Sequence, residues 1–237
     1  MTKRIFDIIL AAFGLVLSSP ILLASMLLVW LEDGQSPLYR APRVGREDRD
    51  FRMIKLRTMA VGSDAGASST ARSDPRITWL GAKLRRWKLE ELPQFWNVLR
   101  GEMSIVGPRP NVRRGGTDRY TQEEMRLLNL RPGITDLASI VFSDEGDILE
   151  GAADPDALYD VLIRPWKSRL GLLYTEHRSL AIDLQIIWLT MLCLFSRRAA
   201  LAGVGDILVG WRAPDDLRLI CARRAPLPQA APPGAFA

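Results

Sequence analysis

Two adjacent carboxylates, Glu90 and Glu91, stand in the stretch KLRRWKLEELPQFWNVLRGEMSIVGPRP over residues 83–110, among Arg85, Arg86, Lys88, Arg100 and Arg109. An ionised carboxylate can act as a nucleophile or ligate a metal ion, and surrounding cations favour the ionised form while drawing in anions. The elements that must position the pair follow from periodicity. Leu92, Phe95, Trp96 and Leu99 recur at i, i+3, i+4 and i+7, which predicts a helix with that face buried. Pro93 suits its first turn and Gly101 its end. The pair then sits at or near the helix N-terminus, where unpaired N–H groups and the macrodipole favour carboxylate and phosphate alike. Ordinary capping would also place acids there, so the pair alone leaves both readings open.

Before this stretch, residues 8–31 carry no charge, and at 1.5 Å per residue the run would extend about 36 Å as a straight helix, enough to cross a bilayer. Ser18, Ser19 and Pro20 fall at its middle. Proline removes a hydrogen bond and bends a helix, while serine hydroxyls can re-satisfy a freed carbonyl. Basic residues flank both ends, Lys3 and Arg4 before and Arg40 through Arg57 after, and the positive-inside rule would keep both flanks cytoplasmic. A helix that enters, breaks at Ser19-Pro20 and returns satisfies both observations; a kinked spanning helix and a signal peptide are the alternatives.

Residues 38–43 and 51–56 alternate loosely around Gly45, predicting a β-hairpin. Lys55 and Arg57 share strand parity, so both can face one site while Ile54 and Leu56 face the core. Residues 62–74 are small and polar and read as an exposed loop. Arg109, between prolines in a rigid turn, is preorganised to grip a diphosphate bidentately, or is merely a surface turn residue. Residues 180–195, interrupted by Asp183 and Gln185, are too short and polar to span and fit an interfacial amphipathic helix or a core helix.

The chain of 237 residues suits one domain with appendages. Residues 1–120 hold 20 basic and 12 acidic residues, net +8, against 12 and 15, net −3, in the rest. Positive charge thus belongs to the half with the carboxylate pair, and membrane surface or phosphorylated small molecules are its natural partners; no nucleic-acid-reading motif is present. Cys193 and Cys221 offer neither a disulfide framework nor a metal spacing. His177, the single histidine, excludes a multi-His metal site and reads as structural. Residues 213–237 lack a periodic apolar face and read as a mobile tail.

The string LEELPQFWNVLRGEMSIVGPRP resembles the L-D-E-L-P-Q-x-x-N-V-L-x-G-[DE]-M-S-x-x-G-P-R-P signature of the bacterial sugar transferases, the monotopic polyprenyl-phosphate phosphoglycosyl transferases. MIKLRTM over 53–59, LRPGIT over 130–135, and YTEH and LAIDLQIIWLT further on are similar to the same family. The match departs where the first acid of the pair is Glu90 instead of Asp, and where Asp136 and Ser139 replace the commoner Gly and Gln.

The resemblance implies a mainly α fold with a small β-hairpin and interfacial amphipathic helices. Its parts would be a re-entrant membrane helix over 1–34 and a catalytic domain over 35–198 on the cytoplasmic face of the bacterial inner membrane; beyond Arg197 the resemblance fades, and 199–237 reads as a C-terminal extension, a mobile tail. It also implies transfer of a sugar 1-phosphate from a UDP-sugar to polyprenyl (undecaprenyl) phosphate, giving UMP, as the first membrane step of exopolysaccharide or glycan assembly. Glu90 would be the nucleophile and a ligand of Mg²⁺, Glu91 would orient it or accept a proton, and Lys55, Arg57, Arg85 and Arg109 would hold phosphates. Two rivals stay open: direct transfer in a ternary complex with Glu90 only a metal ligand, and a membrane scaffold disabled by the Asp-to-Glu change. The sugar, the polyprenol length and the oligomeric state, a homo-oligomer included, are not written in these residues.

Overall fold

The apolar N-terminal run forms one helix, α1 (Thr2–Asp33), in a computed structural model that describes residues 2–63 and 69–235. Its buried residues, Asp7, Ala11, Leu22, Ser25 and Val29, fall on one stripe of the helix. Gly14 lies on the same stripe, and a Cβ there would meet the Phe95 ring at 2.8 Å. The opposite face exposes Ile5, Ile9, Phe13, Val16, Leu17, Leu23, Leu27 and Leu31.

Both ends of α1 are held by the same body of protein. Near the N-terminus, Lys3 donates to Asp183 at 2.7 Å, Arg4 to the Val98 and Leu99 carbonyls, and Asp7 accepts from the Ser104 hydroxyl and the Ile105 N–H. At the other end Arg57 clasps both oxygens of Asp33 and donates to the Val29 carbonyl. The expected break at Ser19-Pro20 does not interrupt the helix. Pro20 withdraws the N–H that the Val16 carbonyl would accept, and the Ser19 hydroxyl donates to that carbonyl at 2.7 Å instead.

The hairpin forms as expected from β1 (Leu38–Val44) and β2 (Asp50–Leu56), antiparallel with Leu38 opposite Leu56 and Val44 opposite Asp50. Glu47 and Asp48 in its turn take left-handed φ of 58° and 59°. Leu38 and Leu56, on one face, pack with Leu22 and Val29 of α1 and with Leu84 of α2 (Trp79–Arg86). Ala41 and Met53, on the other, join the main core.

Helix α3 (Gln94–Arg100) starts after Pro93 and ends at Gly101, whose φ of 84° is the left-handed closure that glycine allows. Its most buried face is not the expected one: Gln94, Asn97 and Val98 are buried, whereas Trp96 is 50% exposed. The amide of Asn97 explains this. It accepts from the Ile54 N–H and donates to the Arg52 carbonyl and to Glu102, so a polar residue binds the free edge of β2 to α3 with its hydrogen bonds satisfied. Phe95 and Leu99 remain partly buried, and Phe95 lies against α1 at Gly14.

A second sheet, which the sequence reading lacks, pairs β3 (Ser104–Val106) in parallel with β4 (Gly133–Thr135). Three-residue strands are too short to show a period. A Cβ on Gly133 would stand 2.2 Å from the Gly107 nitrogen, so the glycines of GPRP and RPGIT let two turns press together and fix where Arg109 emerges.

Short helices α4 (Leu137–Val141), α5 (Glu145–Ile148) and α6 (Pro155–Leu162) lead to α7 (Arg164–His177) and α8 (Leu180–Phe195). Residues 64–68 of the expected polar loop lie outside the described residues. Residues 69–73 dock on α5 and α6 through Ser69 to Asp156 and Arg72 to the Gly146 carbonyl. Helix α8 buries Asp183, Ile186 and Leu189 and exposes Leu184, Trp188, Met191 and Phe195, so the expected amphipathic split is absent and its outward face is apolar as well.

The mobile-tail expectation is corrected. Residues 197–221 form α9 (Arg197–Gly210) and α10 (Asp215–Cys221), which bury Ala200, Val204, Leu208, Leu217 and Cys221 in the main core. The proline-rich end then lies across α6 and α7. Ala230 donates to the Val161 carbonyl, Trp166 to the Pro228 carbonyl, and Thr121 to the Pro233 carbonyl. A proline-rich strap has no periodic face to read, yet its carbonyls accept like any others. His177 stacks on Trp211 with ring centroids 4.9 Å apart, the structural role expected of it.

Candidate active site

Chain geometry places the carboxylates in a single 3₁₀ turn, Leu89–Glu91, between α2 and α3. Lys88 before it takes a left-handed φ of 57°. The turn opens onto a cavity of about 1660 Å³ whose floor is one face of the hairpin: Tyr39, Ala41, Arg43, Met53 and Lys55. Register explains the selection, because Tyr39 pairs with Lys55, Ala41 with Met53 and Arg43 with Phe51, and same-parity positions share a face. Arg85 and Lys88 wall one side, Arg109, Arg119 and Lys167 another.

The two glutamates differ in environment. Glu91 accepts from Arg109 at 2.5 Å and stands 3.5 Å from the Lys55 ammonium. Burial pushes its carboxyl up, but Arg109, Lys55 and Lys88 outweigh it and hold the group well below the usual carboxylate range. Glu90 is 8% exposed, and its Oε2 is buried with no hydrogen-bond partner. Burial, and then Glu91 beside it, pushes its carboxyl above the ordinary range, with Lys55 and Lys88 pulling the other way. One acid is therefore a fixed anion that organises cations, and the other, which also lines the cavity, carries a buried oxygen without a hydrogen-bond partner.

Lys55 is lowered to about 8, chiefly by burial and against the pull of Glu91. Arg85 anchors its Nε on the Thr58 hydroxyl at 2.9 Å, which leaves its other nitrogens free to meet an anion. Glu90, Glu91, Lys55, Arg85 and Arg109 all line the one cavity. Arg57 reaches its edge, but its donors are committed to Asp33 and to the Ser36 and Val29 carbonyls. The residue next to the β2 end thus also clamps the end of α1.

Sequence reasoning missed Arg43, Lys167 and Tyr159. Arg43 was findable, since its parity in the hairpin matches that of Lys55. Lys167, bonded to Glu145, sits in no recognisable motif and reaches the cavity only through the packing of α7. Asp136, one of the departures noted above, caps α4 by accepting from the N–H and hydroxyl of Ser139 at 2.6 Å each. Ser139 itself lines the cavity.

Among the described residues no three His, Cys, Asp or Glu side chains converge as a metal-binding group. An all-protein metal cage is not offered, whereas a single carboxylate oxygen is.

A family model described as bacterial sugar transferase matches residues 1–197. The chain is 39% identical over 156 residues to the exopolysaccharide production protein ExoY of Rhizobium meliloti, covering 59% of this chain and 69% of that protein. It is 35% identical over 207 residues to the UDP-N-acetylgalactosamine-undecaprenyl-phosphate N-acetylgalactosaminephosphotransferase of Aeromonas hydrophila, covering 86% of this chain and 44% of that one. It is 36% identical over 206 residues to the UDP-glucose:undecaprenyl-phosphate glucose-1-phosphate transferase of Escherichia coli, with 84% and 41% covered. The chain thus spans less than half the length of the latter two.

Proposed function

The chain belongs to the bacterial sugar transferase family, and from that premise we propose that it moves a sugar 1-phosphate from a UDP-sugar to undecaprenyl phosphate in two steps through Glu90. The observation that carries this reading is the buried, unpartnered Oε2 of Glu90 beside a wall of cations in one cavity. Relatives at this level of identity act, by their names, on UDP-linked N-acetylgalactosamine and glucose with undecaprenyl phosphate.

In the first step the Glu90 carboxylate attacks the β-phosphorus, the bond from that phosphorus to the bridging oxygen breaks, and UMP leaves with the electron pair. The sugar phosphate is then held on Glu90 as an acyl phosphate. In the second step a phosphate oxygen of the lipid attacks the same phosphorus and returns Glu90 as carboxylate. Lys55, Arg85 and Arg109 offset the charge on the phosphates, an electrostatic contribution that grows when water is excluded. Glu91 holds Lys55 and Arg109 in place; so strongly stabilised an anion is a poor proton acceptor.

Mg²⁺ is commonly held by one or two carboxylates, substrate phosphates and retained waters, and the free Oε2 of Glu90 fits that donor set. When bound, the ion would neutralise charge on the diphosphate.

A helix whose two ends are both gripped by one domain does not deliver its ends to opposite sides of a bilayer. We therefore read α1 as keeping both of its ends on one side of the bilayer, with its apolar outer face in lipid, and the basic flanks support the cytoplasmic side. Cysteines placed before Lys3 and after Gly34 should both be labelled only from the cytoplasmic side; external labelling of the second would overturn this topology.

The reaction is tested by incubating purified full-length protein with undecaprenyl phosphate and UDP-glucose, UDP-galactose or UDP-N-acetylgalactosamine. UMP release, with transient sugar label on the protein before lipid is added, is the expected result. Release without protein labelling would favour direct transfer, and no release from any donor would favour the scaffold.

A further inference from the structure

The even-numbered face of the hairpin lines a second groove, of about 590 Å³, between β1–β2 and the α3–β3 turn. That volume lies within the range of small-ligand sites, roughly 300–1,000 Å³. Six arginines reach it against three acids, Glu47, Asp50 and Glu102. Each acid is already engaged: Glu47 by Arg46, Asp50 by Arg113 and Glu102 by Asn97. Arg40 and Arg52 are not engaged; among the described residues neither guanidinium has a hydrogen bond or ion pair. They sit diagonally on one face, since Arg40 pairs with Ile54 and Pro42 with Arg52, near enough for one anion to meet both.

The groove begins where α1 stops covering the domain. Leu38 and Leu56 of the same hairpin face pack under α1, and Gly101 at the groove's far wall lies 3.4 Å from the Arg4 guanidinium, measured from where its Cβ would be. Phe95 packs on α1 at Gly14, while the neighbouring Trp96, 50% exposed, turns into the groove with Arg100. Unpaired arginines and an exposed tryptophan beside a lipid-facing helix match the level of a bilayer where headgroup phosphates lie.

We propose that this groove binds the phosphodiester headgroup of an anionic membrane phospholipid, gripped by Arg40 and Arg52 with Trp96 at the glycerol level. The lipid would be a ligand separate from the substrates, since the hairpin itself divides the two cavities. The proposal rests on the membrane association above and not on the transfer chemistry.

The test uses full-length protein in nonionic detergent, with lipid retention read by native mass spectrometry. Phosphatidylglycerol should be retained, phosphatidylcholine should not, and the Arg40→Gln/Arg52→Gln variant should bind phosphatidylglycerol about thirtyfold more weakly, at about 1 kcal/mol per arginine. UMP release by the variant in detergent should stay at the wild-type level, which separates loss of this site from failure of the enzyme reading. Equal retention by wild type and variant, or retention of phosphatidylcholine as strong as that of phosphatidylglycerol, overturns the proposal. So does full displacement of phosphatidylglycerol by inorganic phosphate at equal concentration, which would make the ligand a free anion. Because the wild-type comparison of the two lipids needs no variant, a misfolded double variant would leave it decisive.

Discussion

The two faces of one hairpin use positive charge in opposite ways. On the inner face Lys55 is half-buried, lowered to about 8 chiefly by desolvation, and tied to Glu91; on the outer face Arg40 and Arg52 are exposed and unpaired. A single residue of register separates them, because side chains alternate across a strand. The difference teaches that a cation becomes part of a reaction site by enclosure with a partner that fixes it, whereas the same charge left solvated can only attract. It also explains why charge counts along the sequence could not tell the two groups apart.

The largest break in this comparison removes the inner face's chemistry while keeping its shape. Glu90→Gln is nearly isosteric and far less nucleophilic, so UMP release and transfer of sugar label onto the protein should both fall by at least about a thousandfold. Normal turnover would remove Glu90 as the nucleophile and with it the two-step reaction. Glu91→Gln comes next. It leaves Lys55 and Arg109 without their counter-charge, and because both side chains keep some contact with solvent the cost falls below the roughly 3–5 kcal/mol of a fully buried pair. Activity should fall by about a hundredfold or more, with a lower melting temperature; a variant as active and stable as wild type would show that the pair of cations needs no anchor. Glu90→Asp shortens the reach by one methylene, and a 1 Å misplacement can cost about a hundredfold, so it should retain measurable activity below wild type. Activity equal to wild type would mean that the site has not re-adapted around glutamate.

The pH profile sharpens the same contrast. Glu90, raised by burial and by Glu91, must lose its proton to attack, so activity should climb as pH rises through that elevated pKa. Lys55 is lowered to about 8; its cation is present below that value and lost above it, so activity should fall on the alkaline side. Lys55→Arg keeps a charge at all working pH values. The alkaline fall should therefore vanish in kcat/KM for that variant while the acid limb stays; an unchanged alkaline limb would assign it to another group.

Much of this was legible in the chain. The string around Glu90 places the carboxylates, and Pro93 and Gly101 bound α3 where the structure has it, because those residues act locally through φ. The hairpin's register follows from alternation. What was not legible depends on tertiary partners. Asn97 is buried because β2 offers it an unpaired edge, which no helical period reveals, and the apolar Trp96 is left outside. Arg57 shares parity with Lys55, yet Asp33 at the end of α1 claims it. Pro20 signals a break, yet Ser19 repairs the carbonyl it frees. The extension after residue 197 has no family signature to read, and its fold is set by core contacts made by α9 and α10.

The smallest expected effect compares two arginines on adjoining strands. Arg43 points into the reaction cavity, half-buried, and is lowered chiefly by burial and then by Arg109. Among the described residues it makes a single hydrogen bond, to the Pro42 carbonyl, so the rest of its guanidinium can face a phosphate. Arg52 lies across the hairpin on the outer face and is exposed. If enclosure is what makes a cation useful to the reaction, Arg43→Gln should lower kcat/KM by about fivefold, the equivalent of about 1 kcal/mol. Arg52→Gln, measured in the same detergent without anionic phospholipid, should change it by less than about twofold, as expected for an exposed position outside the site. Equal losses from both would mean that the hairpin acts as one diffuse positive field, steering anionic substrate by net charge. In that case both effects would shrink together as salt is raised, since screening acts on exposed charge far more than on enclosed charge. A loss confined to Arg43 that persists in salt would instead fix the division of labour between the two faces of the hairpin.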